Sequence, residues 1–395
     1  MSFPRYSKYK PSGVEWLGDV PEGWVVCAPK RRIKSAAGGT LIKGMCSDEF
    51  SEGLFPGFSA SGQNVWLEEY AYDCPAIVLS AVGARCGKAF KADGKWGVVA
   101  NTHCLFPLPN SDRDYLWYLT NQEDWWEKGG SAQPFVKVSE TMARPWVFPP
   151  LPEQTAIAEF LDRETGKIDG LVAEQRRLME LLKEEIESLV LASVNSPDTE
   201  HLRFGYVATL ISRPVLQQQE EAYTRIGLFN RGRGLFHKDA SEMDEMGISD
   251  FFWIEEGDLI ISGQFAWEGA VAMAGKNETG CVVSHRYPVI RGKTGVALTE
   301  YLFALLSTDH GDFLLNEHSR GAAGRNRPLN IRTLMKEVIP TPSMRTQETV
   351  ARAVHAKTAI SQEISNTISL LQERRTALIS AAVTGQIDVR QQPRN

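Results

Sequence analysis

The strongest constraint on the fold is a hydrophobic pattern that occurs twice, 193 residues apart. Alternating steps of four and three residues from Ile157 select ten positions, and seven of them are apolar. Of the ten positions that lie 193 residues later, seven are again apolar. A sustained period of 3.5 residues is typical of a coiled-coil seam. Repetition at a fixed offset indicates a duplicated unit. The pattern therefore predicts a globule, a long helix, a second globule and a second long helix.

The two stripes are expected to be buried against each other, because an isolated amphipathic helix of this length would leave its apolar face in water. An antiparallel pair with full overlap would place Glu164 opposite Arg375. The alternative is that each helix packs on its own globule. The predicted seam consists of Ile157, Leu161, Ile168, Leu171, Leu178, Leu182 and Leu189 on the first helix, and of Val350, Val354, Ile364, Ile368, Leu371 and Leu378 on the second.

Four segments follow from this pattern. Residues 1–150 form a first globule with an N-terminal segment, 151–195 the first helix, 196–343 the second globule, and 344–395 the second helix and a C-terminal tail. The strand-like run 76–81 has a counterpart at 258–263, and the run 97–100 has one at 281–284. The expected fold class is α+β with a pseudo-two-fold internal repeat. Since the side chains at corresponding positions of the two globules differ, the globules are expected to recognise different targets.

Composition points to an ordinary soluble chain. Apolar residues make up 43% of the 395 residues and charged residues 23%. The six cysteines contain no Cys-x-x-Cys pair, which favours reduced thiols in a cytosolic protein. No apolar run approaches the ~18 residues of a membrane span, and the N-terminus lacks the apolar core of a signal peptide. We therefore expect a cytoplasmic protein with no membrane partner.

The net charge of −6 is concentrated in one helix. Between residues 153 and 191 there are ten acidic and five basic side chains, so the rest of the chain is close to neutral. A nearly neutral chain can still present local basic faces, and any phosphate contacts must then be concentrated in patches.

Three stretches of the chain carry distinctive motifs. The run 149–154 (Pro-Pro-Leu-Pro-Glu-Gln), followed by 160–165 (Phe-Leu-Asp-Arg-Glu-Thr), resembles the first conserved helix of one family, the specificity (S) subunits of type I restriction–modification systems. Residues 373–390 resemble its C-terminal tail, and residues 9–24 its conserved N-terminal segment. One departure stands at 340–347, where the family repeats Pro-Pro-Leu-x-Glu-Gln and this chain keeps only prolines and Gln347.

The resemblance implies a non-catalytic subunit that recognises DNA sequence. In that family two target-recognition domains of mixed β/α structure are separated by two long antiparallel helices that form a coiled coil. Each domain reads one half of a bipartite target in double-stranded DNA, and the helices set the gap and dock two adenine-N6 methyltransferase (M) subunits. Restriction (R) subunits complete the complex. The resemblance implies no cofactor in this chain, with S-adenosylmethionine, ATP and magnesium expected only in the partner subunits.

Motifs for catalysis are not found in the sequence itself. A phosphate-binding Gly-x-x-x-x-Gly-Lys-Thr loop fails because Tyr287 occupies the first glycine position. The methyltransferase pattern Asp/Asn-Pro-Pro-aromatic has no match. Asp73, Asp93 and Lys95 could form a nuclease site, but Asp93-Gly94 favours a hairpin turn. A freestanding nuclease or methyltransferase, and a purely structural coiled-coil adaptor, remain as alternatives.

The candidate DNA contacts are basic residues on glycine-rich, non-helical stretches. Guanidinium groups can pair bidentately with guanine edges or phosphates, and small neighbours let the backbone approach the duplex. The alternatives are a solvated loop or a charged sheet edge. The tryptophans at 117, 125 and 126 are predicted to be core residues rather than base-stacking platforms. The candidates are Arg320, Arg325, Asn326 and Arg327, then Arg225, Arg231 and Arg233, and in the first globule Arg85, Lys88, Lys91 and Lys137.

Overall fold

The computed structural model describes residues 3–122, 125–215, 222–231, 233–240, 250–321 and 327–391. The chain forms two compact units. Unit 1 comprises Met1–Glu174 and Thr367–Asn395, and unit 2 comprises Gln175–Asn366. Each unit therefore contains one globule together with part of each long helix. The sequence predicts four consecutive segments, 1–150, 151–195, 196–343 and 344–395. Each compact unit instead combines residues from several of these segments, because both long helices are divided between the units.

Unit 1 contains short strands, two short helices and parts of the long helices. The strands are Tyr9–Pro11 (β1), Asp19–Pro21 (β2), Val25–Cys27 (β3), Ile33–Ala37 (β4), Phe55–Ser59 (β5), Gly62–Leu67 (β6), Tyr72–Asp73 (β7), Ala76–Ser80 (β8), Ala89–Ala92 (β9), Lys95–Val98 (β10), Thr102–Pro107 (β11), Lys128–Gly129 (β12), Phe135–Val136 (β13) and Trp146–Phe148 (β14). The short helices are Arg113–Thr120 (α1) and Val138–Ala143 (α2). The first long helix, α3, covers Leu151–Val194 and continues into unit 2.

Unit 2 has a similar content of elements. Its strands are Glu200–Arg203 (β15), Ala208–Ile211 (β16), Ile226–Leu228 (β17), Leu235–His237 (β18), Phe251–Trp253 (β19), Leu259–Ile261 (β20), Val271–Met273 (β21), Val282–Ser284 (β22), Val289–Gly292 (β23) and Val338–Thr341 (β24). Its short helices are Phe204–Val207 (α4), Thr299–Leu306 (α5), Asp309–Glu317 (α6) and Ile331–Leu334 (α7). The second long helix, α8, covers Met344–Val383 and ends in unit 1.

The main sheet is the same in both units. Unit 1 has the strand order β4-β11-β8-β9, and unit 2 has β16-β23-β20-β21. Every neighbouring pair is antiparallel. Strands β8 and β20 are buried along their whole length, as expected for the runs predicted at 76–81 and 258–263. The internal repeat predicted from the sequence is therefore a repeat of topology.

A second sheet is repeated as well. In unit 1, β10 runs parallel to β5 and antiparallel to β7, while β5 pairs with β6. In unit 2, β22 pairs antiparallel with β19, and Arg225, directly before β17, forms a parallel bridge to Val282. Strand β17 pairs in turn with β18. The two units thus share both sheets, which establishes the α+β class and its duplication.

Both long helices begin where the repeat predicts. Helix α3 starts at Leu151 and α8 starts at Met344, 193 residues later. In each case a strand, β14 or β24, leads into the helix, with Pro149 and Pro150 between β14 and α3 and Pro342 between β24 and α8. Proline immediately before or within the first turn is favourable because the first N–H groups of a helix have no partner within it.

The helices pair antiparallel inside unit 1. The Arg375 guanidinium on α8 donates to both carboxylate oxygens of Asp169 on α3, at 3.0 and 3.3 Å. At the start of α3, Glu153 lines a cavity together with Arg390, which follows the end of α8. The predicted pair Glu164–Arg375 is therefore wrong by about one turn. Glu164 binds its own helix neighbours Lys167 and Arg163 instead, and these cations lower its pKa.

The helices also pair antiparallel inside unit 2. Near the end of α3, Glu187 faces Lys357 of α8. Beyond that end, the Thr346 hydroxyl lies 3.4 Å from the carboxylate of Asp198. Residue numbers thus rise on one helix as they fall on the other. Ile186 and Val190 of α3 share one apolar cluster with Val350 and Val354 of α8 and with the globule core.

The predicted seam of α3 needs a correction. Leu171 and Leu178 are 47% and 40% exposed, whereas Val172 and Ile186 are buried. The buried positions Ile157, Leu161, Ile168, Val172, Ile186 and Val190 follow the 3.6-residue period of a straight helix. A strict 3.5-residue pattern drifts by roughly 20° per heptad on such a helix. Each half of α3 also packs on a globule, so a wider face than a coiled-coil seam is buried.

The remaining seam residues lie at buried or partly buried positions. Leu182 and Leu189 of α3 are partly buried, as are Ile368 and Leu371 of α8. Val350, Val354, Ile364 and Leu378 of α8 are buried. In unit 1, Leu378 and its neighbours belong to the same apolar cluster as Ile157 and Leu161. The helices therefore pack both on each other and on the globules, so the two packing alternatives are not exclusive.

One buried glutamine fixes the start of each long helix. The Gln154 amide donates to Pro149 O at 2.9 Å and Asn110 O at 3.2 Å, and its oxygen accepts from Asp112 N–H at 2.8 Å. Gln347 makes the same three bonds, to Pro342 O at 2.8 Å, Val296 O at 3.1 Å and Leu298 N–H at 2.8 Å. Both side chains are fully buried.

The residue before each glutamine differs, and the structure supplies the reason. Glu153 is nearly buried and accepts from Tyr6 Oη at 2.5 Å and from Trp24 Nε1 at 3.0 Å. Burial and this carboxylate raise the pKa of the Tyr6 phenol. Thr346 stands at the corresponding position before Gln347 and pairs with Asp198. Glutamate is needed where it receives the N-terminal segment, and the described part of unit 2 has no counterpart of that segment.

The N-terminal segment also contacts the C-terminal tail. Tyr9 Oη donates to Gly385 O at 3.1 Å, and Asp388 N–H donates to Pro4 O at 2.8 Å. The Arg390 guanidinium lies 4.9 Å from the centre of the Tyr6 ring and binds Asp388 at 2.8 Å. Both ends of the chain are thereby tied to the beginning of α3.

The cysteine thiols and the apolar character of the helices bear on the predicted environment of the chain. All six cysteines are free thiols. Burial raises the pKa of Cys104 to about 11. Within the described residues, no helix has the length and apolar character needed to cross a membrane.

Replacing Gln347 by alanine should lower the free energy of unfolding by about 2–3 kcal/mol, because the buried Pro342 O and the partly buried Val296 O and Leu298 N–H lose their partner. Chemical denaturation of the full chain measures this. Gln362→Ala is the matched control, since Gln362 is exposed on the same helix and should change stability by less than about 0.5 kcal/mol. Equal losses in the two variants would contradict the anchoring role.

Candidate nucleic-acid interface

Three connections meet at one end of the sheets in unit 1. We call them the strand loop (81–88, after β8), the glycine loop (128–137) and the hairpin turn (60–61, between β5 and β6). The Val136 N–H donates to Ala81 O at 2.9 Å, and the Gly83 N–H donates to Pro134 O at 2.8 Å. Arg85 reaches the hairpin turn, where its Nη1 lies 3.4 Å from Ser61 O. Backbone hydrogen bonds thus hold the strand loop and the glycine loop together.

The same three connections meet in unit 2. Here the strand loop is 262–270, the hairpin turn is 229–234, and the glycine loop is described at 318–321 and 327–330. The Leu329 N–H donates to Gly263 O at 2.8 Å, and the Arg231 N–H donates to Glu268 O at 2.8 Å. The Asn230 amide binds the Glu268 carboxylate. A shared frame therefore positions different side chains in the two units.

Arginines of unit 2 lie against aromatic rings of these loops. The Arg327 guanidinium is 5.0 Å from the centre of the Trp267 ring, and Trp267 belongs to a 3-10 turn, Ala266–Glu268. The Arg233 guanidinium is 5.3 Å from the centre of the Phe229 ring. Stacking restricts a long side chain while leaving its N–H groups exposed, which prepares a cation for an anionic ligand.

The other candidates of unit 2 are placed differently. Arg231, next to Asn230, is exposed and adopts a φ of 61°, which few non-glycine residues do. Arg320 is exposed and binds Glu317 at 2.7 Å. Arg225 lies at the sheet bridge to Val282 and is partly buried, so it belongs to the frame rather than to a loop. Arg325 and Asn326 lie outside the described residues.

In unit 1 the strand loop presents Arg85 and Lys88, both exposed. Lys137 lies on the glycine loop and binds Glu140 at 3.2 Å. Lys91 is not part of this surface, because it binds Asp114 at 2.9 Å and lies 4.7 Å from the centre of the Trp117 ring. The structure adds Lys128, an exposed residue at the start of the glycine loop that packs over Gly87 of the strand loop.

The tryptophan prediction is confirmed. Trp125 and Trp126 are buried in the core of unit 1. Trp117 is partly buried and donates its indole N–H to Ala89 O at 2.8 Å. The aromatic stripe supports the globule behind the loops and does not offer a free stacking face.

A buried carboxylate stands directly before β20 in unit 2. Asp258, which is fully buried, accepts from Arg213 Nη1 at 2.8 Å, Arg291 Nε at 2.6 Å and Glu255 N–H at 2.9 Å. A buried charge requires such partners. These two arginines are therefore committed to the frame, and the sequence pattern gave no sign of that commitment.

The carboxylates considered for a nuclease do not come together. Asp73 and Lys95 face each other across β7 and β10, while Asp93 pairs with Arg113. Asp93-Gly94 connects β9 to β10, which belong to different sheets, so the hairpin prediction is wrong although the turn exists. Across the described residues, no group of three or more His, Cys, Asp or Glu side chains is arranged to hold a metal ion.

Comparison with known proteins gives one consistent result. Residues 63–176 match the family described as "Type I restriction modification DNA specificity domain". The "Type I restriction enzyme EcoDI specificity subunit" of Escherichia coli is 23% identical over 188 residues, which is 47% of this chain. The matched stretch spans 41% of that relative's own length. The resemblance found in the sequence is confirmed.

Solved structures show the same fold. The S subunit of a type I restriction–modification system from M. genitalium superposes with a TM-score of 0.50 at 16% identity, over 91% of this chain and 96% of that one. A chain from a structure concerned with complex assembly and conformational transition of the type I R-M system gives a TM-score of 0.50 at 14% identity, over 92% and 98%.

Gly263 sits where a side chain cannot be accommodated. A Cβ there would lie 2.4 Å from the Arg286 carbonyl oxygen, and Gly263 itself links the strand loop to the glycine loop. Gly263→Ala should therefore lower the free energy of unfolding by about 1–3 kcal/mol through overpacking. In Gly44→Ala the new Cβ meets no atom within 4 Å, so that control should remain near wild type in the same urea titration. A stable Gly263→Ala chain would show that the junction is loose.

Proposed function

We propose that this chain, which resembles the specificity subunits of type I restriction–modification systems in sequence and in fold, is the subunit that reads the DNA target of such a complex. Each globule reads one half of a bipartite target in double-stranded DNA. The observation that carries this proposal is the duplication of one frame, anchored by Gln154 and Gln347, with different side chains on equivalent loops.

The difference between the loops supports two different half-targets. Arg85 and Lys88 of the strand loop in unit 1 correspond to Trp267 and Ala270 of the strand loop in unit 2. Sequence is read by side chains that reach base edges, while phosphate contacts fix position. One frame with two sets of loop side chains therefore favours an asymmetric target over a palindromic one.

The basic side chains on these loops are the proposed DNA contacts. Arg231, Arg233, Arg320 and Arg327 serve unit 2, and Arg85, Lys88 and Lys137 serve unit 1. Arg325 and Asn326 remain candidates on sequence grounds alone. Arg225, which forms part of the sheet, would act by supporting the hairpin turn.

Catalysis belongs, in this proposal, to partner subunits. The sequence lacks the phosphate-binding and methyltransferase motifs, so S-adenosylmethionine, ATP and magnesium are assigned to methyltransferase and restriction subunits. The long helices set the gap between the half-targets and dock two methyltransferase subunits. The strongly acidic surface of α3 disfavours contact with phosphates and suits that docking role. No observation favours a freestanding enzyme or a purely structural adaptor.

The pattern of DNA methylation tests the proposal as a whole. The chain is co-expressed with a candidate methyltransferase subunit from the same organism, and modified adenines are mapped across a genome. We expect two short specific sequences separated by a gap of constant length. A single contiguous target, or modification that does not depend on this chain, would refute the proposal.

Arg327 provides a test on a single residue. Arg327→Ala should weaken binding of the assembled complex to its target by about 1–3 kcal/mol and relax the sequence preference in one half-site, if the guanidinium reads a base edge. Arg352→Ala is the control, because Arg352 is exposed on α8 and contacts the Thr349 hydroxyl at 3.3 Å. Loss of subunit assembly in Arg327→Ala, or an equal effect of the control, would count against a role in recognition.

A further inference from the structure

Each unit has a cleft at an equivalent place, bounded by the strand loop, a short helix and a long helix. The cleft of unit 1 has a volume of about 570 Å³ and is lined by α1 and by Thr376 and Ile379 of α8. The cleft of unit 2 has a volume of about 630 Å³ and is lined by α5 and by Lys183 and Ile186 of α3. These residue pairs occupy the same positions of the helix repeat, because 193 residues separate them.

The two clefts differ in charge. In unit 2 three cations, Lys183, Arg231 and Lys357, are balanced by three carboxylates at the cleft wall, which are Glu187, Glu268 and Asp312. Lys183 binds Glu187 at 3.4 Å. Burial raises the pKa of Asp312, with a further contribution from Asp309, and burial lowers the pKa of Lys357. Both shifts result mainly from burial, and the formal charges lining the cleft sum to about zero.

In unit 1 the described residues give the opposite picture. Arg85, Lys88, Lys128 and Arg375 line the cleft, and no carboxylate does so among the residues that the structure describes. Glu123 and Asp124, which follow the lining residue Gln122 in the sequence, lie outside the described residues. Arg375 is oriented by Asp169 at 3.0 Å.

Three of these cations are exposed and have no acidic partner among the residues that the structure describes. Arg85, Lys88 and Lys128 are exposed, and none of them forms an ion pair with a carboxylate of the described chain. They converge because the backbone bends sharply at Gly87, where φ is 94° and where an added Cβ would lie 3.4 Å from Cε of Lys128. The strand loop thus brings cations from two loops to one cleft wall.

We infer that the cleft of unit 1 binds a phosphate group of the DNA backbone and that the equivalent cleft of unit 2 does not. The inference rests on the proposed function and deepens it, because it assigns a sequence-independent contact to one unit alone. Clustered cations without local counterions attract a phosphodiester and release its condensed counterions, whereas a neutral cleft gains nothing in this way.

The experiment measures how salt weakens the binding of the full chain to a short duplex of arbitrary sequence. Each neutralised phosphate contributes a slope of about 0.9 to the fall of log K with log salt concentration. Lys88→Gln with Lys128→Gln should reduce the slope by about 0.9, the contribution of one phosphate. Lys88→Arg with Lys128→Arg keeps the charge and should restore the slope. Lys183→Gln with Lys357→Gln removes the same charge from the unit 2 cleft and should leave the slope unchanged.

Each outcome decides between the proposals. A wild-type chain that binds no DNA refutes the proposed function itself. If the wild-type chain binds DNA, two outcomes refute the cleft assignment alone. One is an unchanged slope in the Lys88/Lys128 glutamine variant, and the other is an equal change of slope in the Lys183/Lys357 variant. Calorimetry with inorganic phosphate distinguishes free phosphate from DNA as the ligand. If the Lys88/Lys128 glutamine variant loses binding of free phosphate while its DNA salt slope stays unchanged, the cleft is an ion site and not a DNA contact.

Discussion

Two buried glutamine side chains, Gln154 and Gln347, are the interaction on which the rest of the structure depends. Each amide donates to a carbonyl of the preceding proline segment, and its oxygen accepts from the N–H of the residue directly before the short helix α1 or α5. Leaving a fully buried polar group without a partner costs about 1–3 kcal/mol, and a partly buried one less. The long helix, the short helix and the strand before them are thereby fixed to one another in each unit, which allows the loops beyond them to change without moving the frame.

The positions around the glutamines show which requirements are repeated and which are not. Glu153 is needed because Tyr6 and Trp24 donate to it, and Thr346 replaces it where Asp198 is the neighbour instead. The two clefts differ in the same way. Their walls occupy equivalent positions, yet one collects cations and the other pairs cations with carboxylates. The glutamines that hold the frame are therefore the same in both units, whereas the side chains that face solvent differ.

Much of the fold follows from sequence patterns that depend on local geometry. The bounds of α8 at Met344–Val383, the buried strands β8 and β20 and the 193-residue repeat could all be predicted, because helix and strand periods are set within a few residues. The phase of the α3 stripe at Leu171 and Leu178 could not, since the globules bury a second face. Nor could the meeting of three loops, the Asp258 network or the place of Lys128, which depend on residues far apart in the chain.

The central claim is that the frame is interchangeable and the loops choose the DNA sequence. It is tested most directly by replacing residues 200–341 with a second copy of residues 25–148, since each segment begins and ends at a pair of facing strand residues, Val25 with Phe148 and Glu200 with Thr341. With the partner methyltransferase present, mapping of modified adenines should show a target in which both halves match the half read by unit 1. A folded chimera that still modifies the original second half would contradict the claim.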